Sequence, residues 1–121
     1  MKNGKKNWVF CDGDLPPAGK DASFPGHEAL MITNVGKKDA SIRIKVLFED
    51  RPPYENVTLD LAAERTVCLR LDGPIGKEKY QIPHGQYALH ILSDVPVCAC
   101  FGRLDVRQSN MAYYSLSGYA F

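Results

Sequence analysis

Apolar and polar residues alternate with a period of two along most of this chain. The clearest run covers residues 41–48, where Ile42, Ile44 and Val46 alternate with basic side chains. Successive side chains of a β-strand point to opposite faces, so the run predicts a strand with one buried and one wet face. Similar alternation predicts strands at residues 57–61, 67–71 and 87–91. Residues 97–101 are apolar on both faces, which predicts a central strand, and further strands are predicted at residues 8–11, 29–32 and 113–119.

Clusters of proline, glycine and asparagine separate these runs. They fall at residues 13–26, 34–36, 51–53, 72–74 and 83–85. Such residues favour turns, and no segment shows a sustained helical repeat of apolar positions. About eight short strands joined by turns predict an all-β fold, either an antiparallel sandwich or a barrel.

The length of 121 residues suits one domain, residues 1–121, with residues 1–7 as a loose basic tail. Fifteen basic residues against fourteen acidic ones leave a net charge of +1, which disfavours strong binding to nucleic acid. No apolar run approaches the roughly 20 residues that span a bilayer, and no secretory signal follows the basic start. We therefore expect a cytoplasmic protein.

The four cysteines are Cys11, Cys68, Cys98 and Cys100. All lie in apolar, strand-like segments, so we expect buried free thiols in a reducing compartment. The spacing of Cys98 and Cys100 differs from the C-x₂-C of common zinc sites. The sequence therefore predicts no metal site and no cofactor.

No common catalytic signature occurs in the sequence. His27-Glu28 is a bare dipeptide, and a strand would point its two side chains to opposite faces. The loop at residues 73–77 looks faintly like a phosphate-binding loop, but Pro74 lacks the N–H that such a loop would use. We therefore expect a protein that is not an enzyme.

Residues 100–110 place Arg103, Asp105 and Arg107 on alternate positions, followed by Gln108. One carboxylate between two guanidiniums forms a self-satisfied ionic cluster, which would fix a strand end or a subunit contact. The same groups would also make a polar floor for a small hydroxyl-rich ligand, with Trp8 and C-terminal tyrosines as a stacking wall. Both interpretations remain open from the residues alone.

Aromatic residues are concentrated at the C-terminus of the chain. Tyr113, Tyr114, Tyr119 and Phe121 all fall in the last nine residues. Aromatic side chains are enriched at protein interfaces, so this segment predicts an oligomer contact. The alternative is that the last strand closes the sandwich.

A series of short motifs follows the chain from about Trp8 to Tyr119. They are Trp8 with Gly13, Pro16 and Pro17; His27-Glu28; Asn34-Val35-Gly36; Glu64-Arg65-Thr66; Ile82-Pro83-His84; Ser93-Asp94-Val95-Pro96; and Arg103-Leu104-Asp105-Val106-Arg107-Gln108. In this order they resemble the sensory rhodopsin transducer family, although residues 109–114 show no such match. The resemblance implies a cytoplasmic antiparallel β-sandwich of jelly-roll type that assembles as a tetramer.

The resemblance also implies function. The family's namesake partners a microbial rhodopsin and carries a light signal, many relatives look like small-molecule-binding domains for sugars or related metabolites, and DNA binding has been proposed within the family. Carried onto this chain, the implied ligand-binding residues are Trp8, His27, Glu28, Arg65, His84, Arg103, Asp105, Arg107 and Gln108.

The sequence and the resemblance together predict a non-enzymatic cytoplasmic signalling module that binds a small polar ligand, sugar-like or a related metabolite, as a homo-oligomer, most simply a tetramer. One alternative is an adaptor coupled to a membrane receptor such as a sensory rhodopsin, through wet-face residues such as Arg43 and Lys45 or through the basic tail. A DNA-binding regulator is a further alternative, which the near-neutral charge disfavours.

Overall fold

The structure, a computed structural model, describes residues 4–15, 27–105 and 112–121, and for residues 105 and 112–114 it describes the backbone alone. Within these residues the chain forms eight strands and no helix, which confirms the all-β prediction. The strands are β1 (Lys5–Leu15), β2 (His27–Asn34), β3 (Ala40–Leu47), β4 (Tyr54–Leu61), β5 (Arg65–Arg70), β6 (Gly85–Asp105), β7 (Ala112–Leu116) and β8 (Tyr119–Ala120).

The strands pair antiparallel in two layers. Sheet A has the order β4-β3-β6-β1-β8. Sheet B consists of β5-β2-β6-β7, because β2 pairs with both β5 and β6, and β7 pairs with β6. The two sheets form the predicted β-sandwich.

Strand β6 belongs to both sheets. Its first half pairs with β1 and β3, whereas its second half, from Cys98 onward, pairs with β2. The bend lies between Leu92 and Val97, which pair with Asn7 and Lys5, so β6 has extra residues there. An uneven count of this kind is a β-bulge, which bends a strand and lets it pass from one sheet to the other.

The core lies between the sheets and consists of the apolar positions that the alternation predicts. Ile42, Ile44 and Val46 of β3 are at most 2% exposed, and Leu30 and Ile32 of β2 are fully buried opposite them. Removing these side chains from water drives the sandwich together.

Two sequence expectations need correction. Lys5, Lys6 and Asn7 belong to β1, so this part of the expected loose tail is paired strand. The cysteines are free, but Cys11, Cys68 and Cys98 are exposed and Cys100 is half-buried. The prediction of buried thiols was wrong for Cys68, Cys98 and Cys100 because these positions of β5 and β6 face away from the core, where an apolar side chain is not covered by the other sheet, and Cys11 is exposed in β1.

Candidate functional site

The two ends of β6 come together at one end of the sandwich. Tyr87, near the start of β6, and Arg103, near its end, both contact Glu28 of β2. They meet because β6 bends between the sheets and returns along the opposite layer. Glu28 lies directly across the ladder from Arg103.

The side chain of Glu28 is fully buried and fully hydrogen-bonded. The Tyr87 hydroxyl donates to Oε1 at 2.6 Å, and Nε of Arg103 donates to Oε2 at 2.6 Å. The backbone N–H of Asp14 lies 3.1 Å and 3.2 Å from the two oxygens. A buried charge is tolerated when opposite charge and hydrogen bonds replace water, and this arrangement provides both. We call Glu28, Tyr87, Arg103 and the backbone of Asp12 and Asp14 the Glu28 cluster.

Arg103 joins the cluster to β1 and to the surface. Its Nη2 donates to the backbone carbonyl of Asp12 at 2.7 Å and lies 3.6 Å from the Asp12 carboxylate. The ladder between β1 and β6 shifts register between Phe10 and Gly13, and such a bulge leaves a carbonyl unpaired by the ladder. The side chain of Arg103 is 11% exposed and that of Asp12 is 61% exposed, so the cluster reaches solvent on this side.

The ring of Tyr87 packs against Gly13, which has no side chain to block it. A Cβ at Gly13 would lie 2.4 Å from Cζ of the Tyr87 ring, so only glycine leaves room for the ring. Burial raises the pKa of Tyr87 well above its usual range, and the hydrogen bond to Glu28 and the charge on that carboxylate raise it further. The hydroxyl is therefore a fixed donor to Glu28.

A second ion pair flanks the cluster. Arg70, which ends β5, donates two hydrogen bonds to the carboxylate of Asp72, at 2.9 Å and 2.8 Å. Partial burial acts to raise the pKa of Asp72, but the hydrogen bond from Arg70 and nearby positive charge, including that of His27, outweigh it and lower that pKa. His27 thus lies close enough to Asp72 to interact with it electrostatically.

Three of the predicted site residues are brought together: His27, Glu28 and Arg103 lie at the same end of sheet B. Arg65 pairs with Asn34 at the opposite end of β2, six residues from Glu28, which is about 20 Å along a strand. The Arg65 side chain is exposed and donates to the backbone carbonyl of Glu64.

Trp8 and His84 take no part in the hydrogen bonds of the cluster. The Trp8 indole N–H donates to the carbonyl of Val97 at 3.0 Å, and its ring stacks on Phe10 at 6.3 Å. Trp8 therefore packs against the bend in β6. His84 is exposed in the turn that precedes β6.

The remaining predicted residues cannot be placed in the site. Arg107 and Gln108 lie outside the described residues, and for Asp105 only the backbone is described. The predicted cluster of Arg103, Asp105 and Arg107 therefore stays a prediction. What the structure adds is that Arg103 pairs with a glutamate 75 residues away in the sequence.

Sequence reasoning missed Asp12, Gly13, Asp14 and Tyr87. Tyr87 sits at an apolar position of a predicted strand, so the alternation assigned it to the core, where it does lie with 2% exposure. One signal was present, because a buried tyrosine hydroxyl needs a hydrogen-bond partner. The partner itself could not be read from neighbouring residues.

The hydrogen bonds of the Glu28 cluster connect strands to one another. Both oxygens of the fully buried Glu28 carboxylate accept hydrogen bonds from the protein. Among residues 4–15, 27–105 and 112–121, no group of three or more metal-binding side chains comes together. In the same part of the chain no helix is long and apolar enough to cross a bilayer.

Comparisons with known proteins identify the relatives of this fold. The crystal structure of Thermotoga maritima 1070 has a TM-score of 0.83 and 35% identity, covering 98% of this chain and 97% of that one. The structure of the Anabaena sensory rhodopsin transducer has a TM-score of 0.75 and 31% identity, covering 90% of this chain and 96% of that one. No curated protein matches the chain. The family model described as Anabaena sensory rhodopsin transducer matches residues 3–120, so the chain belongs to the sensory rhodopsin transducer family.

Proposed function

We propose that this chain is a non-catalytic cytoplasmic adaptor that binds a membrane receptor of the sensory rhodopsin type and passes its state to other proteins. The observation that carries the proposal is the family match, which extends over nearly the whole chain. The likeness to a solved sensory rhodopsin transducer supports it.

The site geometry agrees with a signalling role. The Glu28 cluster satisfies its own buried charges and fastens β1, β2 and both ends of β6 to one another. A rigid sandwich held in this way presents its faces and loops as fixed surfaces for partners.

Co-sedimentation tests the adaptor function. The purified chain is mixed with inverted membrane vesicles of the organism that encodes it, which expose their cytoplasmic face, in the dark and under illumination. We expect the chain to sediment with the vesicles, to a different extent in light and dark. A chain that stays in the supernatant in both conditions, and that recovers only soluble proteins from a lysate, would contradict the adaptor function.

We further propose that the adaptor is a homo-oligomer, most simply a tetramer. The outer face of sheet B supports this, because Met31 lies between Cys68 and Cys100 on neighbouring strands and forms an uncharged row that a second copy can cover. Light scattering coupled to size-exclusion chromatography should give the mass of four chains. The substitution Met31→Glu should lower that mass, and a wild-type monomer at micromolar concentration would contradict the proposal.

A small polar ligand at the Glu28 end is a second candidate function. The exposed carboxylate of Asp12 beside Arg103, with His27 on the neighbouring strand, supports it, since such groups bind hydroxyls or carboxylates. A thermal-shift screen against sugars, sugar acids and nucleotides tests it. A ligand should raise the melting temperature of wild type but not of Asp12→Asn or His27→Ala. The absence of a shift with all three classes would count against the ligand.

A further inference from the structure

The outer face of sheet A carries two exposed aromatic side chains on its edge strand. Tyr119 is 71% exposed and Phe121 is 52% exposed, and their ring centroids lie 5.6 Å apart. Phe121 pairs through its backbone with Asn7, and its ring lies 6.0 Å from that of His90. Adjacent exposed aromatic side chains are typical of an interaction surface.

The pairing register connects these aromatics to a row that crosses the whole sheet. Thr58 of β4 pairs with Arg43, Arg43 with Leu92, Leu92 with Asn7, and Asn7 with Phe121. Paired residues point to the same face, so their side chains form one line, which we call the outer row. Three strand spacings of about 4.8 Å place Arg43 about 14 Å from Phe121.

A groove of about 540 Å³ continues the outer row beyond Leu92. Arg43, Leu92 and Thr58 line it together with charged residues of neighbouring strands and of the loop after β5. The outer row therefore has an aromatic end and an end with charged side chains.

Several charged side chains along this face have partners within the protein. Asp60 pairs with Lys77 at 2.7 Å, Asp94 accepts a hydrogen bond from the Ser41 backbone at 2.8 Å, and Lys45 pairs with Glu55 at 3.4 Å. Within the described residues Arg43 is exposed and forms no ion pair. A guanidinium in this position favours a carboxylate from a partner, which it can bind with two parallel hydrogen bonds.

From this row we propose that the outer face of sheet A is the docking surface for an acidic protein segment that places an apolar or aromatic side chain on Tyr119 and Phe121 and a carboxylate on Arg43. The inference rests on the proposed adaptor function and names the surface that meets the receptor. The spacing of about 14 Å suits an extended segment whose anchor and carboxylate are about four residues apart.

Charge also favours an acidic protein segment over two other partners, a second copy of this face and an anionic membrane. A twofold contact of the face with itself would bring two uncompensated guanidiniums into one interface, which like-charge repulsion disfavours. Binding to anionic lipid needs a cluster of about four to eight basic residues, whereas the outer row offers one unpaired cation.

Binding of variants to inverted vesicles tests the docking surface. Arg43→Glu and Phe121→Ala should each weaken binding about tenfold or more, because they remove the charge partner and the aromatic anchor. Lys38→Glu and Val35→Ala are matched controls on exposed positions outside sheet A and should bind like wild type. If wild type binds the vesicles and Arg43→Glu and Phe121→Ala bind equally well, the inference is overturned. The adaptor function would still hold in that case. Equal binding to protein-free phosphatidylglycerol vesicles would assign the face to lipid and overturn it as well.

A photo-cross-linker separates failure of the docking surface from failure of the adaptor function. Phe121 is replaced by p-benzoylphenylalanine in cells, with the same replacement at Val35 as control. A product on an acidic segment of another protein, lost on Arg43→Glu, supports the docking surface even where vesicles do not bind wild type. A product with a second copy alone, a product with lipid alone, or no product would overturn it.

Discussion

The Glu28 cluster and the outer row each contain an arginine of a paired strand, but the two arginines have opposite environments. Arg103 is nearly buried and pairs with the fully buried carboxylate of Glu28, which also accepts a hydrogen bond from Tyr87. Arg103 also donates to a backbone carbonyl. Arg43 is exposed and lies next to Leu92 with no ion pair in the described part of the chain. We infer that the first arginine stabilises the fold, whereas the second is available to a partner.

The largest effect should come from removing the carboxylate at the centre of the Glu28 cluster. Glu28→Ala removes the buried carboxylate that pairs with Arg103 and leaves the buried Tyr87 hydroxyl without its acceptor, so the free energy of unfolding should fall by about 3–5 kcal/mol. Glu55→Ala removes an acid from the exposed ion pair with Lys45 and should cost about 0–1 kcal/mol. Urea denaturation measures both, and equal losses would contradict the contrast between the two regions.

Removing the tyrosine hydroxyl should have the next largest effect. Tyr87→Phe deletes a hydrogen bond to a charged group and should cost about 1.5–3 kcal/mol, while Tyr119→Phe on the exposed edge should change stability little. The raised pKa of Tyr87 also makes stability pH-dependent. Above about pH 10 the unfolded chain loses this proton and the folded chain keeps it, so wild-type stability should fall as pH rises.

Tyr87→Phe should reduce that alkaline loss, because the unfolded variant has one tyrosine fewer to ionise. Denaturation curves between pH 8 and pH 11 give the slopes for both proteins. A variant as sensitive to alkali as wild type would show that the hydroxyl ionises equally in the folded and unfolded chain.

The close approach of Gly13 to Tyr87 should be sensitive to one added methyl group. Gly13→Ala should cost about 1–3 kcal/mol, because the ring or the strand must move. Gly73 is the matched control, since a Cβ there would have nothing within 4 Å. Thermal or urea unfolding of Gly13→Ala that matches Gly73→Ala would show that the cluster is loosely packed.

The smallest effect should come from His90, on the same face as Arg43. Burial, together with the positive charges of Lys45 and Arg43, holds the pKa of His90 below its ordinary value of 6.5. Below pH 6.5 the unfolded chain takes up this proton first, so stability should decline as pH falls from 7 toward 5. His90→Gln should flatten that decline in urea titrations, and an unchanged slope would assign it to other groups.

The strands could be predicted from the sequence because burial on one face imposes a period of two. Ile42, Ile44 and Val46 are buried and Arg43 is exposed, as the alternation requires. The alternation did not predict that the two strands at residues 87–91 and 97–101 join into the single strand β6, because the residues between them resemble a turn. Pairing with β1 and β2 carries the strand through the bend.

The site was harder to predict because its contacts join residues far apart in the chain. Glu28 and Arg103 were candidates from the family resemblance, but the alternating spacing predicted that Arg103 forms an ionic cluster with Asp105 and Arg107. Its observed partner depends on the register between β2 and β6, which a single strand does not reveal. The outer row depends on the register of five strands and was equally hidden, although Arg43 was already a candidate for receptor contact.

Hydroxyl-radical footprinting of the chain, free and bound to inverted vesicles, tests the contrast between the two regions most directly. Our account predicts that oxidation of Tyr119 and Phe121 falls on binding, while labelling of His27 beside the Glu28 cluster does not change. The account would be contradicted if binding protected His27 from labelling while Tyr119 and Phe121 were labelled as in the free chain.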